Sequence, residues 1–188
     1  MKKQQGISLL SVIIVLLIGS FGIQTAIKKF DDQENKIQTS HMASDFITLR
    51  NNIIKEFSHV GNYSTLTREL VVNKNLLPKS FRVEQAEDGS YDIYYGKHGV
   101  TVGDIPYTLY LPPGGSLEKG FYVKYKKIKP DQARYLLNEL HPHFDFVKWG
   151  DAFVKNYGEY DSDLANQKYA ELKKSPQRIG IIFIKYGG

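Results

Sequence analysis

Three short stretches carry residue types that could do chemistry. In Leu140-His141-Pro142-His143-Phe144-Asp145 two imidazoles and a carboxylate alternate, and on a strand that alternation would set all three on one face, as a metal site needs. Pro142 stands between the histidines, spacing supplies no further strong ligand, and histidines beside a helix end are common in loops, so no metal site is expected. Gly96-x-x-Gly99 and Pro112-Pro113-Gly114-Gly115 are rich in glycine, but neither leads into Lys-Ser/Thr or sits in the strand–loop–helix context of a phosphate loop. The chain has no Gly-x-Ser-x-Gly, and with no cysteine it has no thiol nucleophile. The expectation is a non-enzymatic protein with no catalytic residues, no metal and no cofactor.

The remaining chemistry is done to the chain rather than by it. The sequence opens MKKQQGISLLSVIIVLLIGSFGIQTAIKKF, and Ile7 to Ile27 are 21 residues without a charge. As a helix rising about 1.5 Å per residue they cover about 30 Å, the thickness of a bilayer's hydrocarbon core. A secretory signal has a shorter apolar stretch and a small-x-small cleavage site after it, and no Ala-x-Ala precedes Lys28 and Lys29. The span is therefore read as retained. Lys2 and Lys3 hold the N-terminus in the cytoplasm, and Lys28 and Lys29 fit as residues snorkelling to the far interface.

Beyond Lys29 the apolar residues thin into a stripe. Phe30, Ile37, Met42, Phe46, Leu49, Ile53 and Phe57 are mostly spaced by three, four or seven, and no proline interrupts Ile7 to Ser58. This predicts one helix, apolar all round in its first half and amphipathic in its second, with Gly19 and Gly22 as the places for it to bend. Phe46, Leu49, Ile53 and Phe57 form the predicted buried face, and Asn52 is placed on the exposed one.

Lys-Lys-Gln-Gln-Gly before Ile-Ser-Leu-Leu resembles the class III leader of type IV pilins and pseudopilins. The resemblance implies that a prepilin peptidase cuts between Gly6 and Ile7 and methylates the new N-terminus of Ile7, while the apolar helix is kept. The head resembles the PilS-like type IVb pilins in Tyr63-Ser64-Thr65-Leu66-Thr67, Leu77-Pro78, Tyr95-Gly96-Lys97-His98-Gly99-Val100-Thr101-Val102, Gly120-Phe121-Tyr122-Val123-Lys124-Tyr125 and Pro130-Asp131-Gln132-Ala133. Expected from it are an α+β pilin fold, with a long N-terminal helix packed on an antiparallel sheet, and a division into a leader (1–6), a membrane and filament-core helix (7–27), and a periplasmic helix extension with its head (28–188). It also implies a structural pilus subunit, other pilin subunits and an inner-membrane assembly platform as partners, and an inner-membrane location that becomes extracellular on assembly. The alternatives are a type II secretion pseudopilin and a signal-anchored periplasmic binding protein that does not polymerise.

Two departures from the family stand out. Its members carry a cysteine where Ala133 stands, bonded to another near the C-terminus, and loss of such a bond removes about 2–4 kcal/mol of support. Pilins also place a glutamate fifth after the cleavage site, where it pairs with a neighbour's methylated amine in apolar surroundings. Here that position is Ser11, which cannot pair, and the resemblance then implies a minor or tip subunit.

Within the head, strands are predicted at Tyr91–Tyr95, Val100–Val102, Pro106–Leu111, Phe121–Ile128 and Ile179–Tyr186, with a turn around Pro78 and a helix from Pro130 to about Leu140 capped by Asp131. The whole chain carries a formal charge of +5. Lys124, Lys126, Lys127 and Lys129 gather beside Tyr122 and Tyr125, and the expectation is lysines protecting a sheet edge, the other reading being a surface for DNA or an acidic or host-surface partner.

Overall fold

A computed structural model describes residues 38–96, 98–104, 119–174 and 179–186. The leader, the span at 7–27, Gly19, Gly22, Phe30, Ile37 and the strand and loop predicted over 106–115 lie outside the described residues. The chain divides into two compact units, Met1–Gln38 and Thr39–Gly188, and the described residues fall almost wholly in the second. Among the described residues no helix is long and apolar enough to cross a membrane.

Helix α1 covers 38–57. It stops after Phe57, where the N–H groups of Val60 and Gly61 both reach the Phe57 carbonyl and Gly61 takes the left-handed backbone (φ 71°) that closes many helices. Helix α2 (Arg68–Asn73) follows, its first turn capped by the Thr67 hydroxyl, which accepts from the Leu70 N–H at 3.2 Å. Strands β1 (Phe81–Gln85), β2 (Tyr91–Tyr95), β3 (His98–Asp104) and β4 (Gly120–Ile128) come next. Then come α3 (Pro130–Leu140), a 3₁₀ turn (His141–His143), β5 (Phe146–Trp149), β6 (Ala152–Asn156), β7 (Glu159–Tyr160), α4 (Ser162–Lys174) and β8 (Ile179–Tyr186).

The eight strands among the described residues join one antiparallel sheet in the order β1-β2-β3-β4-β8-β5-β6-β7. The final strand thus enters the middle, between β4 and β5, and its apolar run serves both faces of the sheet: Ile181 and Phe183 pack in the main core, Ile182 and Ile184 in the smaller cluster on the opposite side. The same topology corrects the reading of the lysines. β4 is fourth of eight, so its lysines guard no edge.

Alternation along β4 divides the sheet into two faces. Phe121, Val123 and Tyr125 have no exposed surface and point to one side, and Tyr122, Lys124 and Lys126 point to the other. Val123 stands opposite Phe183 and Tyr125 opposite Ile181, while Val147 and Trp149 pair with the same two residues from β5. Those side chains make one buried wall, and the stripe of α1 joins the same core: Phe46, Leu49 and Ile53 have no exposed surface, and Met42 and Phe57 keep 5%. Full burial of a side chain of this size contributes about 1.5–3 kcal/mol. The buried apolar residues of α2, α3 and α4 belong to that core as well.

Asp131 corrects a local expectation. The capping position of α3 is Lys129, whose side chain carries donors only and so makes no cap bond, while Pro130 fills the first turn. Asp131 lies within that turn, and its carboxylate accepts from the Tyr169 hydroxyl of α4. α4 has the side-chain cap that α3 lacks: Asp161 accepts from the Leu164 N–H at 2.8 Å.

Candidate functional site

Two surfaces have the character of working sites: the seam between α1 and the sheet, and the sheet's opposite face. The seam is aromatic. Phe46 sits 5.6 Å from Phe81, 6.4 Å from Tyr95 and 6.0 Å from Tyr125, ring centre to ring centre. Phe57 meets Tyr63 at 5.2 Å, and Tyr63 meets Phe121 at 4.9 Å, so a chain of tilted rings links the helix to the sheet centre. Two polar bonds fix the helix's rotation. The Tyr95 hydroxyl donates to Asp45 at 2.8 Å, and the Asn52 amide donates to the Leu76 carbonyl at 2.8 Å. Asn52 is therefore half-buried and bonded rather than free on an exposed face. Burial, helped by Asp45, holds the Tyr95 phenol well above its ordinary pKa, and burial does the same for Tyr125.

The histidine pair is drawn apart from its carboxylate. Pro142 takes a helical place in the 3₁₀ turn, and His141 stacks on Tyr160 at 4.1 Å with the rings 10° from parallel. Burial, then Lys155 and His143, lower the His141 pKa. Asp145 turns instead to Lys185, 3.0 Å away, and accepts from the Tyr186 N–H at 2.7 Å. Among the described residues no group of three or more potential ligands is placed to hold a metal ion. Lys155, buried to 7% exposure, donates to the His141 carbonyl and so closes the end of α3, and burial lowers its pKa.

Where relatives implied by the sequence would carry a cysteine, Ala133 is fully buried in the core. From positions flanking it, a set of polar contacts ties α3 to α4. Tyr169 bonds Asp131, Lys173 donates to the Tyr169 hydroxyl at 3.0 Å and lies 3.8 Å from Asp131, and Arg134 lies 4.7 Å over the Tyr169 ring while donating to Asn166 at 3.2 Å. No sequence pattern announces this link, because its two halves lie some forty residues apart.

Gly6, Ile7 and Ser11 lie outside the described residues. The core residues Phe46, Leu49, Ile53 and Phe57 all face the sheet's buried side. The opposite face, where Lys124 and Lys126 point, has its own small cluster of Phe146 and Ile184, packed by Tyr122, Phe153, Ile182 and Tyr186. Sequence reading missed that cluster along with β1, β5, β6, β7, α2 and α4.

No model of a known protein family matches the chain, and no curated protein matches it. Solved structures do. The crystal structure of the type IVb pilin from Salmonella typhi aligns with a TM-score of 0.54 at 15% identity, covering 78% of this chain and 97% of that one. TcpA, a type IV pilin from Vibrio cholerae El Tor biotype, aligns at 0.49 and 12% identity, covering 81% and 99%. With a helix seated on one face of an antiparallel sheet and nearly the whole of the Salmonella subunit matched, this chain has the type IV pilin fold.

Proposed function

We propose that the protein is a type IV pilin of the IVb, PilS-like kind, a non-catalytic structural subunit that polymerises with other pilin subunits into an extracellular pilus. The observation that carries this reading is the alignment with 97% of the Salmonella typhi pilin, combined with an N-terminus in which a basic head and Gly6 precede an uncharged span. In this reading the chain is held in the inner membrane by residues 7–27, is cut by a prepilin peptidase between Gly6 and Ile7, and passes to an inner-membrane assembly platform. Mass spectrometry of the protein from cells that contain the peptidase is expected to give a mature chain beginning at N-methylated Ile7. Gly6→Val is expected to block maturation, since a branched side chain replaces the smallest residue at the cut. An intact Met1 in such cells would instead favour the anchored binding protein.

Ser11 points to a minor or tip subunit. At that position a glutamate would be an apolar-buried charge seeking a partner amine, and serine offers no such pairing. Immunogold labelling is expected to be sparse or confined to filament ends, and uniform labelling along the filament would make this a major subunit.

A further inference from the structure

The solvent side of the sheet is a built surface, and its register shows what it presents. Across one row stand Arg82 on β1, Tyr94 on β2 and Gly99 on β3, and a side chain at Gly99 would meet Lys126 of β4 at 3.7 Å. Across the next row stand Thr101, Lys124, Ile182, Lys148 and Phe153, contributed by β3, β4, β8, β5 and β6. Two adjacent rows therefore carry Arg82, Lys126, Lys124 and Lys148, interleaved with the rings of Tyr94 and Phe153. The cations already lie on rings: Arg82 is 5.1 Å from the Tyr94 ring centre and Lys148 is 5.4 Å from that of Phe153. Lys124 and Lys126, two residues apart on one strand, stand roughly 7 Å apart along it.

Counter-charges are kept away from the middle. Among the described residues, the carboxylates on the strands of this face stand at its two ends, Glu84 and Asp92 on β1 and β2 and Glu159 on β7, and Asp151 lies in the turn between β5 and β6, where its charge is felt by Lys148. The first pair is taken up by Arg82 and Arg68 at 3.3 Å each. Lys124, Lys126 and Lys148 form no ion pair with a described carboxylate. Three cations on interior strands without an ion pair to a described carboxylate cost the fold self-repulsion, and edge protection does not explain them because β4 and β5 are interior strands.

We infer that this face binds single-stranded nucleic acid, with Lys124, Lys126 and Lys148 on the phosphates and Tyr94 stacking a base beside Gly99 and the Lys126 stem. Charge complementarity requires a polyanion, and half-exposed aromatic rings between the cations are what distinguishes a nucleic-acid surface from one for a sulfated or acidic polymer. The inference concerns the sheet face alone and does not rest on the pilin reading.

The test uses the full chain in detergent micelles and a fluorescent oligothymidylate of about 16 nucleotides, the upper site size of a comparable binding surface. Binding followed by anisotropy is expected to weaken with salt, with a logarithmic slope near −2 for three phosphate contacts. Lys124→Gln, Lys126→Gln and Lys148→Gln together, which keep the side-chain stems, are expected to lower affinity at least about tenfold and to flatten that slope. Lys55→Gln, Lys79→Gln and Lys174→Gln together remove the same charge from exposed sites elsewhere and are expected to leave binding unchanged. Tyr94→Ala is expected to weaken the oligonucleotide at least about fivefold while leaving heparin binding as it was. Equal losses from the two lysine triples, or no loss from the first, would overturn the site. A Tyr94→Ala protein that binds both ligands as before would overturn the nucleic-acid assignment in favour of an unspecific polyanion face.

Discussion

Truncating either Leu49 or Ile53 to alanine, in a fragment starting at Lys28, should lower the melting temperature by about 5–15 °C, from a cavity cost of about 2–5 kcal/mol and about 2–4 °C per kcal/mol for a domain of this size. Both side chains have no exposed surface and sit between rings fixed on both sides: Phe46 toward Phe81, Tyr95 and Tyr125, Phe57 toward Tyr63 and then Phe121. A hole in that row cannot close by a single rotamer change, which puts the cost toward the upper half of the range. The comparison must be made with Lys55→Ala, an exposed residue of the same helix, expected within about 0.5 kcal/mol of wild type. Asn52→Ala is not a neutral control. It would strand the Leu76 carbonyl and cost about 1 kcal/mol, so its melting point is expected between the other two. Equal melting of Ile53→Ala and Lys55→Ala would mean that α1 is not packed on the sheet at all.

Alkali should unfold the protein over a narrow pH range. The phenols of Tyr95, Tyr125 and Tyr186 are all held well above their ordinary pKa of 10.0, burial being the first cause in each case. Tyr63, Tyr122 and Tyr160 are raised for the same reason. An acid whose folded pKa is raised leaves stability intact below the unfolded pKa, near 10, and removes it as pH climbs toward the folded value, because the unfolded chain releases its protons first. Tyr125, with no exposed surface, alone removes about 1.4 kcal/mol per pH unit above 10, and the partly exposed Tyr95 and Tyr186 add less because solvent screens them. Lys155, lowered by burial, works in the opposite direction but is one group against several. Melting temperature should therefore change little up to about pH 9 and fall steeply beyond about pH 10, and the tyrosinate absorbance of the buried phenols should appear together with loss of the circular dichroism signal. Ionisation of all the tyrosines near pH 10 with the fold intact would show that these rings are open to water.

What the amino-acid order settled by itself was local and periodic. The stripe of Phe46, Leu49, Ile53 and Phe57 defined a helix and its buried face, because a 3.6-residue period needs no partner to be seen. Tyr91–Tyr95, Phe121–Ile128 and Ile179–Tyr186 were legible as strands from their β-branched and aromatic content, and Pro130 marked the start of α3. Tertiary structure decided the rest. β5 and β6 are only four and five residues long, and α4 buries just Ala165 and Leu172, so neither period rises above its polar neighbours. Strand order is a non-local property: nothing within Ile179–Tyr186 says that it enters between β4 and β5, yet that insertion turns Lys124 and Lys126 from edge guards into the middle of a charged face. The same holds for Asp131, whose sequence position suggested a cap and whose carboxylate, through Tyr169 on a helix over thirty residues away, helps tie α3 to α4 instead.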